Sequence, residues 1–202
     1  KEISNGIYSP DELLLLHQDD LYGKYLNKSN TPFFKYHFLP LWVNSVKTLF
    51  NHGDHPTVIE LGCGTGASSL LFSLLGARVI GIEMNEKLIN ICNKRKRYYE
   101  QFVGELQLEY VHSSTFDYPY AEGNTIDAYY SLFAFNLMKP TADLLDILIP
   151  SLNDGGQFIV IDGNAGNIYS KILPSRRRPG VLTPSQLADE LQTRGCKIDM
   201  LF

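Results

Sequence analysis

"VIELGCGTGASSL", Val58 to Leu70, runs a short apolar stretch into three glycines within five positions, Gly62, Gly64 and Gly66, and then into a helix-forming segment. Glycine loses more conformational entropy on folding than any other residue, so three so close together imply that side chains are unwanted there. The expectation is a strand-to-helix turn whose backbone lies against a ligand.

Outward from this turn, strands and helices alternate. "TVIEL", "ARVIGIEM", "LQLEYVHSS", "IDAYYSLFAF", "GGQFIVIDG" and "CKIDMLF" read as strands. Between them lie the helices "GASSLLFSLLG", closed by Gly76, "NEKLINICNKRKRYYEQF", with Asn85 at its N-cap, and "TADLLDILIPSLN". A last helix, "TPSQLADELQTRG", has Thr183 as cap, Pro184 at its first position and Gly195 as terminator. Such alternation predicts an α/β fold, doubly wound, with a mostly parallel Rossmann-like sheet and helices on both faces.

Residues 1–56 differ from this pattern and read as an N-terminal helical lid ahead of a core at 57–202. "SPDELLLL" starts a helix, with Ser9 capping, Pro10 in the first turn, and Asp11 and Glu12 near the positive end. "TPFFKYHF" repeats the start at Thr31 and Pro32, and Pro40 is expected to break or kink that second helix. The polar joint "YGKYLNKSN" separates the two.

Composition bounds the function. A chain of 202 residues with 44% hydrophobic and 20% charged residues reads as one ordinary globular domain. A net charge of -4 gives no general attraction to nucleic acid, which favours a small or neutral partner. Cys63, Cys92 and Cys196 follow no disulfide or metal-site spacing, so no metal is expected and a reducing cytoplasm fits best. No run approaches the roughly 18 apolar residues of a membrane span.

In an open parallel sheet, ligands bind at the carboxyl ends of the strands, and an acidic residue about 20 positions beyond the glycine turn takes ribose hydroxyls. Glu83 ends the second strand at that place. Gly62, Gly64 and Ala67 also satisfy a relaxed dinucleotide fingerprint, which leaves a nicotinamide-dependent oxidoreductase open. Glu60 disfavours it. A carboxylate two residues before the first glycine suits an ammonium group and a cationic sulfur better than a pyrophosphate, and the ligand with both is S-adenosyl-L-methionine.

At this point the chain resembles the class I S-adenosylmethionine-dependent methyltransferases, small-molecule branch. "VIELGCGTG" is similar to their first motif, "VIGIEMN" to their second and "IDAYYSLFAFNLM" to their fourth-strand segment. "LLDILIPSLNDGGQFIVID" and "LTPSQLADELQTRGCKI" are similar to the later helix and strand pairs of the same fold. The resemblance implies methyl transfer to a small molecule through a nitrogen, oxygen or carbon nucleophile. A noncatalytic protein binding the same cofactor stays open beside it.

The resemblance also implies roles. Gly62, Cys63, Gly64 and Gly66 would present backbone to the methionine part of the cofactor, Glu60 would favour its ammonium, Glu83 would grip the ribose, and Met84 would pack on the adenine. Ser114, with Ser113 and Thr115 beside it, stands where relatives often place an acid for the adenine amino group; the alternative is a polar strand exit. Ser131 matches a position near the sulfonium. On the substrate side stand Phe133 and Asn136, the latter where many relatives carry histidine. An amide orients rather than deprotonates, and Asn136 reads equally as a turn or capping residue. No general base is assigned. The absence of an Asn-Pro-Pro-aromatic signature argues against exocyclic amino methylation of nucleic-acid bases.

The family sheet commonly ends in a sixth strand and an antiparallel seventh, so a six-stranded sheet is expected here, or a seventh strand supplied from elsewhere. "NKRKR", Asn93–Arg97, reads as a solvated helix face. Arg176, Arg177 and Arg178 sit in a long connection and either meet an anionic substrate or belong to a mobile loop. Cys63 at a helix start invites a nucleophile reading, but without a partnered histidine packing is preferred. His17, His37 and His112 read as packing or surface residues, and the aromatics Phe33, Phe34, Tyr36, Phe38 and Trp42 as core. Tyr22 and Tyr25, beside Gly23, either face the cofactor from the lid or pack it onto the sheet.

Overall fold

A computed structural model describes residues 2, 5–18, 32, 35–36, 39–51, 53–121, 123, 125–162 and 182–199. Its centre is a sheet of five strands, β1 Thr57–Leu61, β2 Arg78–Glu83, β3 Leu108–His112, β4 Ile126–Leu132 and β5 Leu152–Ile161. All neighbours pair in parallel, in the order β3-β2-β1-β4-β5. The chain builds from β1 outward to β3 and then returns to the other side of β1. The order therefore reverses between β1 and β4, and their carboxyl ends flank a crevice, the place where such sheets take ligands.

Side chains alternate across the strands and so build two cores. Val58, Val79 and Tyr130 face the helices α2 Leu39–Phe50, α3 Ala67–Leu74 and α4 Glu86–Val103. Ile59, Leu61, Ile82 and Tyr129 face α5 Thr141–Leu148 and α6 Pro184–Gln192. The helices are set by local chemistry. Asn85 Oδ1 accepts from Lys87 N at 3.0 Å. Thr183 and Gln186 exchange side-chain and backbone bonds in a reciprocal cap at the start of α6. Gly76 and Gly195, with φ of 105° and 82°, turn the chain out of α3 and α6 in the left-handed region that a Cβ disfavours.

Pro40 lies in the first turn of α2, where its missing N–H has no intrahelical partner to lose; the helix from Thr31 that it is expected to break or kink falls largely outside the described residues. Two expectations need correction. Residues 196–199 form no strand, and among the described residues the sheet has five strands rather than six. The alternation that suggests a strand is real as burial: Cys196 and Ile198 pack on the second core while Lys197 and Asp199 are exposed. Alternation records which face is covered, and a strand also needs a neighbour to pair with. Finally, β5 begins at Leu152, before the predicted "GGQFIVIDG". Ile126 pairs with Leu152 but Ala128 with Gln157, so the intervening residues bulge. Asp127 secures the bulge, accepting from Asn153 Nδ2 at 2.6 Å and from Thr57 N at 2.7 Å.

The helix α1 Pro10–Gln18 starts as expected, with Ser9 Oγ accepting from Glu12 N at 3.3 Å and Glu12 Oε2 accepting from Ser9 N at 2.7 Å. Its Leu16, with Tyr8, packs on Ile91 of α4. α2 leans on the first core, and Trp42 Nε1 donates to Ser68 Oγ at 3.2 Å. Thr31, Phe33, Phe34, His37 and Phe38 lie outside the described residues; Tyr36 is 74% exposed, which removes it from the core. No described helix is long and apolar enough to cross a membrane.

Leu144, fully buried under the second core, gives a direct check on that packing. Leu144→Ala should lower unfolding free energy by about 2–5 kcal/mol in urea melts. A loss under about 0.5 kcal/mol would contradict the packing described.

Candidate functional site

The glycine turn follows β1 at the crevice. Gly62, Gly64 and Gly66 have φ of 69°, 54° and 71°, so the backbone itself demands glycine at each. A Cβ on Gly62 would stand 2.7 Å from Ala134 Cβ, and one on Gly66 2.5 Å from the Tyr110 hydroxyl. At these two positions the room that glycine frees is filled by the protein. The turn is glycine-rich first of all because of its own geometry and close packing, where the sequence suggests a ligand as the reason.

The loop's hydrogen bonds decide what it can offer. Gly62 N and Cys63 N both donate to Ile82 O, at 2.9 and 3.0 Å, and Gly66 N donates to Cys63 O at 2.8 Å. Gly64 N donates to Glu83 Oε2 at 3.0 Å. The carbonyls are also held, from below: Gly64 O accepts from Cys92 Sγ at 3.2 Å, Thr65 O from Arg95 Nη1 at 2.7 Å and Gly66 O from Tyr110 OH at 3.0 Å. Gly62 O is left without a donor among the described residues.

Glu60 is 2% exposed. Its Oε2 accepts from Ser69 N at 2.8 Å, and Ser69 Oγ donates to the same oxygen. Ser69 lies in the first turn of α3, whose N-cap Gly66 has no side chain to offer. A carboxylate from the neighbouring strand therefore caps this helix and sits at the positive end of its dipole. Glu83 performs a second bridge: Oε2 takes Gly64 N and Oε1 takes Asn85 N at 2.9 Å, joining the glycine loop to the start of α4. Beyond it Met84 is 73% exposed, a large apolar surface at the strand end.

The other predicted positions gather along the same edge. Ser113 N donates to Glu83 O at 3.1 Å, which brings the end of β3 beside β2. Ser114 Oγ accepts from Phe116 N at 3.1 Å, while Thr115 is buried, its carbonyl accepting from Tyr120 OH at 2.7 Å. Ser131, 1% exposed, donates to Leu61 O at 3.0 Å and so fastens β4 to the end of β1. Phe133 has φ of 58°, a left-handed conformation unfavourable for a bulky residue, and its N–H donates to Ile161 O at 2.7 Å. Non-glycine residues held in this region concentrate at ligand sites. Asn136 lies buried on the short 3₁₀ turn Phe135–Leu137, its N–H donating to Asp162 Oδ2 at 2.9 Å. Tyr22, Tyr25 and Arg176 to Arg178 lie outside the described residues.

Several contributors escape a reading of the sequence. Asp162 ends β5 on the ligand edge, a position the strand-end rule marks for any acidic residue. Arg95, expected on a solvated face, is 5% exposed and pairs with Glu2 Oε2 at 3.0 Å; nothing in "NKRKR" separates it from Lys94, Lys96 and Arg97 except its place in the 3.6-residue period, in line with Ile91 and Tyr98. Cys63 is buried, and its contact with Cys92, burial and the nearby Glu60 and Glu83 charges push its thiol well up, so it stays protonated and serves packing. His112 Nε2 lies 3.0 Å from Met84 O, a structural contact. No metal-binding cluster occurs among the described residues. An open groove of about 390 Å³ lined by Arg78, Lys96, Glu105 and Glu109 lies toward the strand starts, away from the glycine loop.

Comparison with known proteins bears on the family of the chain. The family model described as a methyltransferase domain matches residues 59–160. The cypemycin N-terminal methyltransferase of Streptomyces sp is 34% identical over 89 residues, 43% of this chain and 34% of that protein. The demethylmenaquinone methyltransferase of Clavibacter sepedonicus is 26% identical over 106 residues, 52% of this chain and 40% of that protein. The chain thus spans less than half the length of the curated relatives it matches. A SAM-dependent methyltransferase from Aquifex aeolicus superposes with a TM-score of 0.60 at 18% identity, over 87% of this chain and 88% of that one. From the match across the glycine loop, all five strands and the crevice between β1 and β4, the chain belongs to the methyltransferase-domain family, the class I enzymes whose cofactor is S-adenosyl-L-methionine.

Proposed function

We propose that this chain transfers a methyl group from S-adenosyl-L-methionine to a small-molecule acceptor. The observation that carries the reading is the polarity of the glycine loop. A pyrophosphate needs backbone N–H donors and a free helix N-terminus. Here the amides of Gly62, Cys63, Gly64 and Gly66 already donate within the protein, and Glu60 occupies the first turn of α3. The Gly62 carbonyl has no donor among the described residues, and two carboxylates, the buried Glu60 and Glu83, are bonded to the start of α3 and to the loop. That set suits an ammonium, a sulfonium and ribose hydroxyls, and it repels a dinucleotide. The nicotinamide alternative is disfavoured on this ground.

S-adenosylmethionine supplies an already activated methyl group on its sulfonium. The residues here would do the holding: Gly62 and Glu60 toward the ammonium, Glu83 on the ribose, Met84 with Ser114 and Thr115 around the adenine, Ser131 near the sulfur. Phe133 and Asn136 would wall the acceptor side. Alignment of donor and acceptor and exclusion of water account for most of the catalysis such a reaction requires. The named relatives act on unlike acceptors, the N-terminus of cypemycin in one and demethylmenaquinone in the other, so the acceptor atom is left as nitrogen, oxygen or carbon. We divide the chain into a cofactor-binding domain at 57–202 and a helical lid at 1–56; Tyr22 and Tyr25, read as either facing the cofactor or packing the lid, lie outside the described residues. The free thiols Cys63, Cys92 and Cys196 are in keeping with a reducing cytoplasm.

Calorimetry with S-adenosylmethionine, S-adenosylhomocysteine and NAD tests the cofactor. Binding of the first two and not of NAD is expected, and preferential NAD binding would overturn the reading. Radiolabelled methyl transfer across amine, hydroxyl and carbon acceptors then separates an enzyme from a noncatalytic binder; cofactor binding without turnover on any of them would favour the binder.

Glu83→Ala should weaken S-adenosylmethionine by about 10- to 100-fold, the equivalent of the roughly 1.5–3 kcal/mol that a hydrogen bond to a charged group contributes. It should also lower the melting temperature slightly, because the bonds to Gly64 N and Asn85 N are lost with it. An unchanged affinity would show that Glu83 serves the loop alone.

A further inference from the structure

Among the described residues, an extended buried polar cluster lies behind the cofactor loop rather than in it. Glu2 is 7% exposed and Arg95 5% exposed. Arg95 Nε donates to Glu2 Oε2 at 3.0 Å and Nη2 to Glu2 Oε1 at 3.3 Å, a two-point grip, while Nη1 donates to Thr65 O at 2.7 Å. Glu2 also accepts from Tyr8 OH at 2.7 Å and Tyr99 OH at 2.8 Å. Burial alone would raise the Glu2 carboxyl, but the Arg95 charge and these donors outweigh it and hold it below the ordinary carboxylate range. One guanidinium thus spans two parts of the chain far apart in sequence, an N-terminal carboxylate and the middle peptide of the glycine loop.

As a stability device this arrangement is inefficient. A buried ion pair gives up so much hydration that apolar side chains of the same volume often do as well. Its geometry is what apolar side chains lack: a planar donor fork fixes two acceptors at set distances and directions at once. The Thr65–Gly66 peptide is flanked by two left-handed glycines; its N–H donates to Cys63 O at 2.8 Å, and Arg95 supplies the bond that holds its carbonyl. Cys92 and Tyr110 pin the neighbouring carbonyls from the same side.

We propose that Arg95 is a positioning residue for the cofactor loop and that Glu2 orients it, so that docking of the N-terminal extension onto α4 sets cofactor affinity. The proposal rests on the cofactor reading above and extends it. Arg95 touches neither cofactor nor acceptor. It acts through the Thr65 peptide, holding the loop in the one arrangement that presents Gly62 O and Glu83 together. Tyr8, packed with Leu16 on Ile91, and Lys94, paired with Glu12 at 2.7 Å, carry the same docking along α4. The extension would then govern the cofactor site from behind, independently of any part it plays over the front.

Two readouts on Glu2→Gln, Arg95→Met and the double variant test this, with Leu144→Ala as a control that costs stability on the opposite face of the sheet. Amide hydrogen exchange on the ligand-free protein should show residues 62–69 exchanging about tenfold faster in Glu2→Gln and Arg95→Met and unchanged in Leu144→Ala. Calorimetry with S-adenosylmethionine should show about three- to tenfold weaker binding for Glu2→Gln and about tenfold or more for Arg95→Met. The double variant should be no weaker than Arg95→Met, because both substitutions break one device. Should Arg95→Met fail to fold, Glu2→Gln, nearly isosteric and away from the loop, decides alone. Loop exchange and affinity that match wild type despite a lowered melting temperature would overturn the proposal. Because exchange is read without ligand, a wild-type chain that fails to bind S-adenosylmethionine would sink the cofactor reading while loop exchange still decides the positioning.

Discussion

Two amides, those of Gly62 and Cys63, converge on one acceptor, the carbonyl of Ile82. That convergence turns the chain sharply as it leaves β1, and the three left-handed glycines are its consequence, since no residue with a Cβ adopts such angles cheaply over this span. The turn commits the amides of Gly62, Cys63, Gly64 and Gly66 to the protein, and the carbonyls of Gly64, Thr65 and Gly66 are held from below, so the Gly62 carbonyl is the loop acceptor left without a donor among the described residues. Glu60 then has to close the start of α3, because Gly66 cannot, and Glu83 has to steady Gly64. The same few bonds that complete the fold bring two carboxylates, Glu60 and Glu83, to the turn, and on these the proposal of a cationic cofactor over a pyrophosphate rests.

Much of the architecture is legible in the sequence because it is written in local chemistry. Strand periodicity, Asn85 and Thr183 as caps and Gly76 and Gly195 as stops are short-range signals, and the helices they bound are present. The features that differ depend on the partner rather than on the segment. Cys196 to Asp199 keeps the alternation of a strand and finds no ladder. The Leu152–Gly156 bulge is set by Asp127, on a different strand.

The site is legible in outline for the same reason and incomplete in detail. Glycine spacing and Glu83 are separated by a nearly constant strand-helix-strand length, so they can be counted off. Arg95 cannot be found that way, because its partners, Glu2 and Thr65, lie 93 and 30 residues away and its neighbours in sequence are ordinary surface cations. Asp162, at the end of "QFIVID", answers to the same strand-end rule as Glu83, but no glycine spacing singles it out. The glycines themselves point to a ligand when read in sequence, whereas Ala134 and Tyr110 fill the space beside two of them. Acceptor chemistry is the least legible part: the methyl donor is already activated, so the chain needs little dedicated acid–base machinery to mark it.

The most direct test is a crystal structure of the chain with S-adenosylhomocysteine. The ribose hydroxyls should lie on Glu83 and the amino group beside Gly62 O and the Glu60 carboxylate, with the amides of Gly62 and Cys63 still bonded to Ile82 O. A ligand seated elsewhere, or one bound through loop amides that have left Ile82, would contradict the loop bonding on which the proposed cofactor site stands.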